Sequence, residues 1–441
     1  MKRLAGHLPG STTEAKVVIR FARRLSSKLI RGRSRAALRK WPVVAIVCML
    51  ALAGPPASVH AQAKEAEKPT VSFYGFLRVD AVWDDSRMQN HQYAMWALPE
   101  DAIVGLHDNS HLTIYPRVTR FGIKVASIAL SDEITGSGKI EIDFQNAGTE
   151  SRAGLRMRHA YFEVAYGAFT LLGGQTWQLL SPLYPEVHTD GVLWNAGNLG
   201  DRAPQVRLTC APKTENGNVS IAVSLGATGA VDAMDLDKNG LLDGASSALP
   251  NIQTRIGMEQ TLYGERPVKA GLWGHYAKEE TDKPFAGERG WESWSAGFDL
   301  SLPLSSRVAI EGEGWTGSNL SDVRGGIGQN INVLTGCEID ARGGWAQLAT
   351  KPTDQTQLYI GGSVDDPDDE DVPSYEDVNA ATLDATTYTG RTLNWVGFLS
   401  ARYRPWQPFQ IAFEYYHWVT EYKGLETGID NRVDLHFSYF F

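Results

Sequence analysis

Apolar and polar residues alternate along most of the chain after residue 70. The last residues, "NRVDLHFSYFF", display the pattern clearly, because every second position is apolar: Val433, Leu435, Phe437, Tyr439 and Phe441. A period of two residues predicts a β-strand with one apolar and one polar face. The edge of such an aromatic strand needs a partner strand or a cover.

Sixteen segments of this kind, most of them about ten residues long, follow one another along the chain. Strands of soluble proteins average about five or six residues, whereas a tilted membrane-spanning strand needs about 9–11. The lengths therefore favour strands that cross a membrane. The predicted strands are 71–84, 111–125, 137–145, 155–166, 168–177, 203–210, 218–226, 251–262, 266–277, 291–303, 305–316, 341–350, 354–364, 391–404, 407–422 and 430–441.

Short and long connections alternate between the predicted strands. Tight turns with Gly or Pro, such as "YGA", "YGER" and "RPWQ", follow most even-numbered strands, and long polar loops follow the odd-numbered ones. This rhythm is typical of outer-membrane barrels, with short periplasmic turns and long extracellular loops. A soluble β-sandwich or propeller is the alternative, but no blade motif repeats. We predict an all-β fold, a 16-stranded antiparallel transmembrane β-barrel over residues 71–441, closed so that its backbone is paired within lipid.

Residues 1–63 differ from the rest of the chain in charge and pattern. They contain 12 of the 42 Lys and Arg residues but one of the 51 acids, Glu14. A basic stretch, the apolar run "WPVVAIVCMLALAG" and small residues after it predict a signal peptide with a long basic n-region. A transmembrane anchor is the alternative, but the apolar run is shorter than the roughly 20 residues of a spanning helix. The small residues after it predict cleavage after Ala61 or Ala63. Residues 64–70 then form a short periplasmic linker.

The remaining chain is acidic, with 30 basic and 50 acidic residues. This charge argues against nucleic acid as a partner. Its two cysteines, Cys210 and Cys337, lie far apart, and we expect isolated thiols. None of the common motifs of hydrolases, metalloproteases, phosphate-binding loops or dinucleotide sites is present. We therefore predict no enzymatic activity and no required cofactor. A barrel lipase or protease, or a structural or adhesive surface barrel, is the alternative.

The alternation also predicts which side chains face the lumen. In "TRFGIKV", Arg120 and Lys124 lie opposite the apolar positions, but "LRMRHAYFEV" is ambiguous, because Arg156 and Arg158 share parity with Phe162. Sixteen strands leave room for an aqueous channel, and charged groups at its narrowest point set selectivity. The basic candidates for that point are Arg120, Lys124, Arg156, Arg158, Arg207 and Arg255.

The connection at 178–202, "QLLSPLYPEVHTDGVLWNAGNLGDR", is rich in apolar residues such as Trp194. This composition is unusual for a loop that faces open water, and we predict that the loop packs against the inner barrel wall as a constriction loop. A fold over the rim or into a subunit interface is the alternative. The inward fold would place Glu186, His188 and Asp190 opposite the arginines.

Several segments resemble the DcaP-like porins. "FYGFLRVDAV", "TRFGIKV", "RMRHAYFEVAYGAFTLLGGQTWQLLSPL" and "APQVRLT" carry the resemblance within residues 71–210, together with the terminal strand. The resemblance implies a homotrimeric channel that is narrowed by its third extracellular loop. Matching positions are Arg158, Gln175 and Arg207, and Gln175 enters the constriction candidates on this ground alone. The chain departs from the family in its short segment before the first strand and in its strongly acidic loops.

The function that the resemblance implies is passive diffusion of small hydrophilic solutes, including anions such as dicarboxylates. The implied location is the cell outer membrane, with membrane lipid and solutes as partners. The alternating terminal strand that ends on Phe441 also resembles the signal read by the barrel-assembly machinery.

The segment "DLDKNGLLD" has the ligand spacing of a calcium loop. Asp235, Asp237 and Asn239 alternate, and Asp243 stands at the ninth position, as in the front half of an EF-hand-type loop. The usual Glu at the twelfth position is replaced by Ser246. We therefore keep two hypotheses, a structural Ca²⁺ held by these residues and a polar surface loop without an ion.

Overall fold

The computed structural model describes residues 69–100, 109–145, 153–188, 191–261, 266–380 and 390–441. The predicted signal peptide and most of the predicted linker lie outside this part of the chain, and both stay predictions. Within the described residues, no helix has the length and apolar character needed to cross a membrane.

Sixteen long strands form one antiparallel sheet that closes on itself. Each strand pairs with the next along the chain, and the first pairs with the last, so the predicted fold class is confirmed. Two shorter strands, His111–Tyr115 and Lys213–Thr214, and two short helices, Asp243–Ser246 and Tyr375–Ala380, accompany them. The long strands are β1 Thr70–Asp84, β2 Arg120–Ala129, β3 Ile134–Asp143, β4 Arg156–Tyr166, β5 Phe169–Trp177, β6 Arg202–Cys210, β7 Gly217–Gly226, β8 Asn251–Gln260, β9 Val268–Phe285, β10 Glu288–Pro303, β11 Val308–Ser318, β12 Asp340–Thr350, β13 Thr356–Pro367, β14 Arg391–Tyr403, β15 Phe409–Tyr422 and β16 Gly428–Phe440.

The seam between β1 and β16 closes the barrel. Leu77 pairs with Tyr439 and Trp83 with Val433. The backbone of Phe441 continues the pairing with two hydrogen bonds to Gly75, of 3.1 and 3.2 Å. The exposed edge expected of an aromatic terminal strand is therefore covered by the first strand, which is how a closed barrel satisfies its backbone in lipid.

Side chains alternate between the two faces of the wall as the sequence predicts. At the seam, Leu77 and Phe437 point outward and are 51% and 40% exposed, whereas Asp80 and His436 point inward and are fully buried. Apolar side chains facing lipid and polar ones facing the interior give the arrangement of a transmembrane barrel. The interior polar groups pack against loops that enter the barrel.

Three elements differ from the prediction. The second predicted strand is interrupted between Tyr115 and Arg120, so its first part pairs with the upper end of β1 as a separate strand. The ninth and tenth strands extend beyond their predicted ends and meet at a tight turn formed by Ala286 and Gly287. Both turn residues have positive φ, 47° and 89°, as a two-residue hairpin turn requires. The connection between β15 and β16 is also short.

A β-bulge at Arg158 explains why the fourth strand was ambiguous. Met157 pairs with Ile142, but His159 pairs with the residue just before Ile142, so Arg158 is an extra residue between two consecutive pairs of the register. An extra residue shifts the alternation of faces by one position. Arg158 and His159 therefore both face inward, whereas Met157 and Phe162 face outward and are 50% and 56% exposed.

Candidate pore constriction

The first part of the 178–202 loop is tied to the inner wall of the barrel. The backbone N–H of Leu179 donates to Gln253 Oε1 on β8 at 2.8 Å. The N–H of Leu183 donates to Glu313 Oε1 on β11 at 2.7 Å, and the Ser181 hydroxyl donates to the other oxygen of Glu313. Because β8 and β11 lie several strands away from β5, where the loop begins, the loop crosses the lumen.

The next residues of the loop reach the strands beside the seam. The N–H of Glu186 donates to Gln347 Oε1 at 2.9 Å, and its carboxylate accepts from Arg402 Nη1 at 2.6 Å. The N–H of His188 donates to both carboxylate oxygens of Glu414, at 2.9 and 3.0 Å. These bonds hold the segment on the side of β12, β14 and β15.

Apolar side chains fix the second half of the loop. Leu193, Trp194 and Leu199 are fully buried. The indole of Trp315 on β11 donates to the carbonyl of Gly197 at 2.7 Å. Burial removes the apolar surface of these side chains from water, which stabilises the packed loop by roughly 25 cal/mol per Å² of apolar area. This accounts for the apolar composition that made the loop unusual in the sequence.

A second long loop, between β11 and β12, packs on the first. Arg324 in this loop forms an ion pair with Asp201, with Nη2 and Oδ2 2.8 Å apart. Its carbonyl accepts from the N–H of Asn195 at 2.9 Å, and the carbonyl of Val323 accepts from Gly200 at 2.9 Å. The sequence identified this segment only as a long polar connection, and its role in supporting the constriction loop was missed.

Between the loop and the wall lies a cavity of about 280 Å³. Five of its lining residues are arginines, and none of the described lining residues is acidic. The lining residues are Phe76, Arg78, Val118, Arg120, Arg158, Trp177, Val187, His188, Val192, Gln357, Arg402, Arg404, Gln410, Ser438 and Phe440.

Carboxylates that do not line the cavity hold most of these arginines in place. Arg158 reaches Glu141 and Asp143, each at 2.8 Å, and Arg120 lies 3.6 Å from Glu141. Arg404 differs, because its Nε donates to the neutral amide of Gln410 at 2.8 Å. Paired guanidinium groups have a fixed orientation and still present N–H donors to an anion.

Other guanidinium groups are positioned in the same way. Arg78 is paired with Asp80 and also donates to the carbonyl of His188 at 3.0 Å. Arg404 packs over the ring of Phe440, 4.6 Å from its centroid.

The predicted constriction residues fall into two groups. Arg120, Arg158 and His188 line the cavity. Arg156 shares Asp143 with Arg158, and Glu186 is joined to the wall. The others lie elsewhere: Lys124 is exposed, Gln175 donates to the carbonyl of Met157, Arg207 is bonded to Gln205, Arg255 is paired with Asp299, and Asp190 lies outside the described residues.

Sequence reasoning missed three arginines of the cavity, Arg78, Arg402 and Arg404. The parity of the first strand places Arg78 inward, and this signal could have identified it. Arg402 lies just before the turn "RPWQ", and Arg404 is the first residue of this turn. Alternation ends there, so the positions of both arginines depend on tertiary contacts.

The predicted calcium residues are partly brought together. Carboxylate oxygens of Asp235, Asp237 and Asp243 lie within 4.8 Å of one another. Asn239 directs its side-chain oxygen to the N–H of Leu241 at 2.7 Å instead. The pKa of Asp243 is raised to about 6, mainly by burial and also by the nearby Asp235 and Asp237, although a hydrogen bond from the N–H of Leu236 acts in the opposite direction. Three oxygen donors fit a hard cation such as Ca²⁺, but the oxygen of the fourth predicted ligand is not directed at them, and the Asn239 amide N–H instead donates to Asp237 at 3.4 Å.

The fold is that of outer-membrane porins. The outer membrane channel DcaP of Acinetobacter baumannii is 21% identical, over 85% of this chain and 97% of its own, with a TM-score of 0.64. The anion-selective porin from Comamonas acidovorans is 10% identical over 85% and 100% of the two chains, with a TM-score of 0.52. Salmonella typhi OmpF is 12% identical over 84% and 97%, with a TM-score of 0.51.

No protein-family model and no curated protein matches the chain. The likeness to solved structures therefore defines the class of fold, a porin barrel. The resemblance to DcaP-like porins is supported at the level of this fold.

Proposed function

We propose that the protein is an outer-membrane porin that passes small hydrophilic solutes and prefers anions. The observation that carries the proposal is the arginine-lined cavity beneath the 178–202 loop. A solute that crosses the barrel beside this loop meets Arg78, Arg120, Arg158 and Arg402, whose guanidinium groups suit carboxylate and phosphate oxygens. The structural relatives are porins and channels, and one of them is anion-selective by name.

Dicarboxylates are the solute class that we propose. A carboxylate at each end of a short chain could contact guanidinium groups on different strands of the cavity wall, Arg120 on β2 and Arg402 on β14. Passage requires that such contacts remain weak and exchangeable. We therefore do not expect the solute to be fully desolvated in the cavity.

The homotrimer and the assembly route stay proposals. We infer a trimer from the resemblance to DcaP-like porins, and we infer that the barrel-assembly machinery reads the terminal strand. Channel closure in three equal steps of conductance would support the trimer.

Planar-bilayer recording tests the channel and its selectivity separately. Stepwise currents are expected, and their absence with folded protein would contradict the porin. In a salt gradient the reversal potential should indicate anion preference. Arg404→Gln should reduce this preference, since the Arg404 guanidinium is hydrogen-bonded to the neutral amide of Gln410 rather than to a carboxylate. Arg307→Gln is the matched control, because Arg307 donates to turn carbonyls and does not line the cavity. Equal potentials in both variants would contradict the proposed role of the cavity.

A further inference from the structure

Three buried ionisable side chains meet on the inner face of the barrel seam. Asp80 on β1 lies directly opposite His436 on β16, and Asp434 lies two residues before His436 on the same face. All three residues are fully buried. One potential ligand atom from each lies within 4.8 Å of the others, and Asp434 Oδ1 is 4.0 Å from His436 Nδ1.

Most polar atoms of this cluster have no hydrogen-bond partner among the residues that the structure describes. Asp80 Oδ1 accepts from Arg78, but its Oδ2 accepts from no group. Both carboxylate oxygens of Asp434 and both ring nitrogens of His436 are also without a partner. Leaving a buried polar atom unpaired costs about 1–3 kcal/mol, and more for a charged group. Five such atoms in one place indicate a missing ligand rather than an isolated packing defect.

The neighbouring guanidinium groups are directed at Asp80 and Asp84 rather than at Asp434. Arg78 donates to Oδ1 of Asp80, and Arg432 donates to Asp84 at 3.0 Å and to the carbonyl of His91 at 2.8 Å. Glu414, which lies opposite Asp434 in the register of β15 and β16, accepts from His188. Asp434 is therefore a buried carboxylate without a direct cationic partner, and such a charge requires compensation.

We propose that Asp80, Asp434 and His436 bind one divalent transition-metal ion, with Zn²⁺ as the best chemical fit. Two carboxylates and an imidazole are ordinary zinc ligands, whereas Ca²⁺ and Mg²⁺ prefer sites built from oxygen. Ligands of a tetrahedral zinc with bonds of about 2.0–2.2 Å stand roughly 3.3–3.6 Å apart. Small side-chain rotations bring the three groups to this separation, and a water molecule can take the fourth position.

The consequence is a metal clamp between the first and last strands. Asp80 belongs to β1, and the other two ligands belong to β16. An ion that binds only the closed barrel stabilises it relative to the unfolded chain. The clamp also lies next to the constriction loop, because the rings of His188 and His436 are 3.9 Å apart.

The test uses the full-length protein refolded from urea into detergent, because a buried site is loaded during folding. One sample is refolded with Zn²⁺ and one with a chelator, and after dialysis the metal is measured by mass spectrometry. We expect about one zinc per chain and loss of this zinc in His436→Gln and Asp434→Asn. His275→Gln is the matched control, because His275 is also buried but both its nitrogens are bonded to serine hydroxyls. Zinc content that is the same in His436→Gln and in the unaltered chain would overturn the proposal.

A second measurement avoids the risk that a variant fails to fold. The unaltered chain is refolded with Co²⁺, and its visible absorption is recorded. We expect the intense bands of four-coordinate cobalt, and Asp235→Ala should keep them, since Asp235 belongs to the separate oxygen cluster outside the seam. Absence of the bands from folded protein would overturn the proposal and would leave the cluster to be bridged by water.

Discussion

The Glu186 carboxylate in the constriction loop and the Arg402 guanidinium on β14 form an ion pair, with Oε2 and Nη1 2.6 Å apart. The pair connects the loop to the wall and neutralises one of the five arginines that line the cavity. The Arg402 charge attracts permeating anions, and the Glu186 charge opposes this attraction. Glu186 is thus the loop residue through which the anion preference can be tested most directly.

Glu186→Gln should increase anion preference. The Glu186 carboxylate and a monovalent ion about 4 Å away in water interact by about 1 kcal/mol. Loss of this interaction corresponds to a change in ion partition of up to about fivefold. The measurement is the reversal potential in a KCl gradient. Glu163→Gln serves as the control, because its carboxylate accepts from the Ser137 hydroxyl on β3 and, among the described residues, forms no hydrogen bond with the loop. A potential that moves toward cation preference in Glu186→Gln would contradict the proposed field of the cavity.

Glu313→Leu should loosen the constriction loop and raise the single-channel conductance. Glu313 is the acceptor for Ser181 and for the N–H of Leu183, and a leucine of similar size accepts neither. Each buried donor left without an acceptor costs about 1–3 kcal/mol, enough to shift the loop toward positions away from the wall. Single-channel recording should register larger and noisier currents.

The control for this change is Glu163→Leu, which removes a carboxylate of β4 that has no role in holding the loop. Its conductance should match that of the unaltered protein. If Glu313→Leu gives the same quiet current as the control while the barrel is folded, the loop is held mainly by its apolar side chains, such as Trp194.

The barrel could be predicted because lipid imposes a simple rule on each strand. Outward positions must be apolar and inward ones are free to be polar, so the alternation in the terminal strand already identifies Phe437 as outward and His436 as inward. The alternation of short turns and long loops further predicted how successive strands are connected. Strand ends were less accurate where hydrogen bonding continued above the apolar belt, as in the hairpin that turns at Ala286 and Gly287.

The site was only partly predictable, because it depends on contacts between residues distant in sequence. Apolar content indicated an inward loop, and parity indicated Arg120. No local pattern indicated that Glu313 would hold Ser181, or that Arg402 would meet Glu186 from more than two hundred residues away. The cluster of Asp80, Asp434 and His436 at the seam likewise forms only when the barrel closes.

Deletion of Arg158 should leave the barrel folded with its faces unchanged. Arg158 is the extra residue of the bulge, so its removal restores regular pairing, with Met157 outward and His159 inward. Glu141 keeps Lys139 at 3.1 Å as a cationic partner. The measurement is the fraction of compact barrel on an unheated gel, which should match that of the unaltered protein.

Deletion of Met157 is the matched comparison. It would move Arg158 into the outward position, where a charged side chain costs up to about 2–4 kcal/mol, depending on depth in the bilayer. The compact fraction should fall. Equal fractions for the two deletions would contradict the assignment of Arg158 as the bulge residue.

Asp235→Ala should abolish calcium binding, if the loop binds calcium as its sequence predicts. The carboxylates of Asp235, Asp237 and Asp243 converge, and burial, together with their mutual repulsion, raises the pKa of Asp243 to about 6. A dication would relieve this repulsion. Because the side-chain oxygen of Asn239 accepts from Leu241 instead of facing the cluster, we expect weak affinity, with a Kd of about 10⁻⁴–10⁻³ M, as in extracellular calcium modules. Isothermal titration calorimetry should give a saturable heat in the unaltered protein and in Asp366→Ala, whose carboxylate is instead paired with Arg342 at 2.7 Å. No saturable heat in the unaltered protein would identify the segment as a polar surface loop.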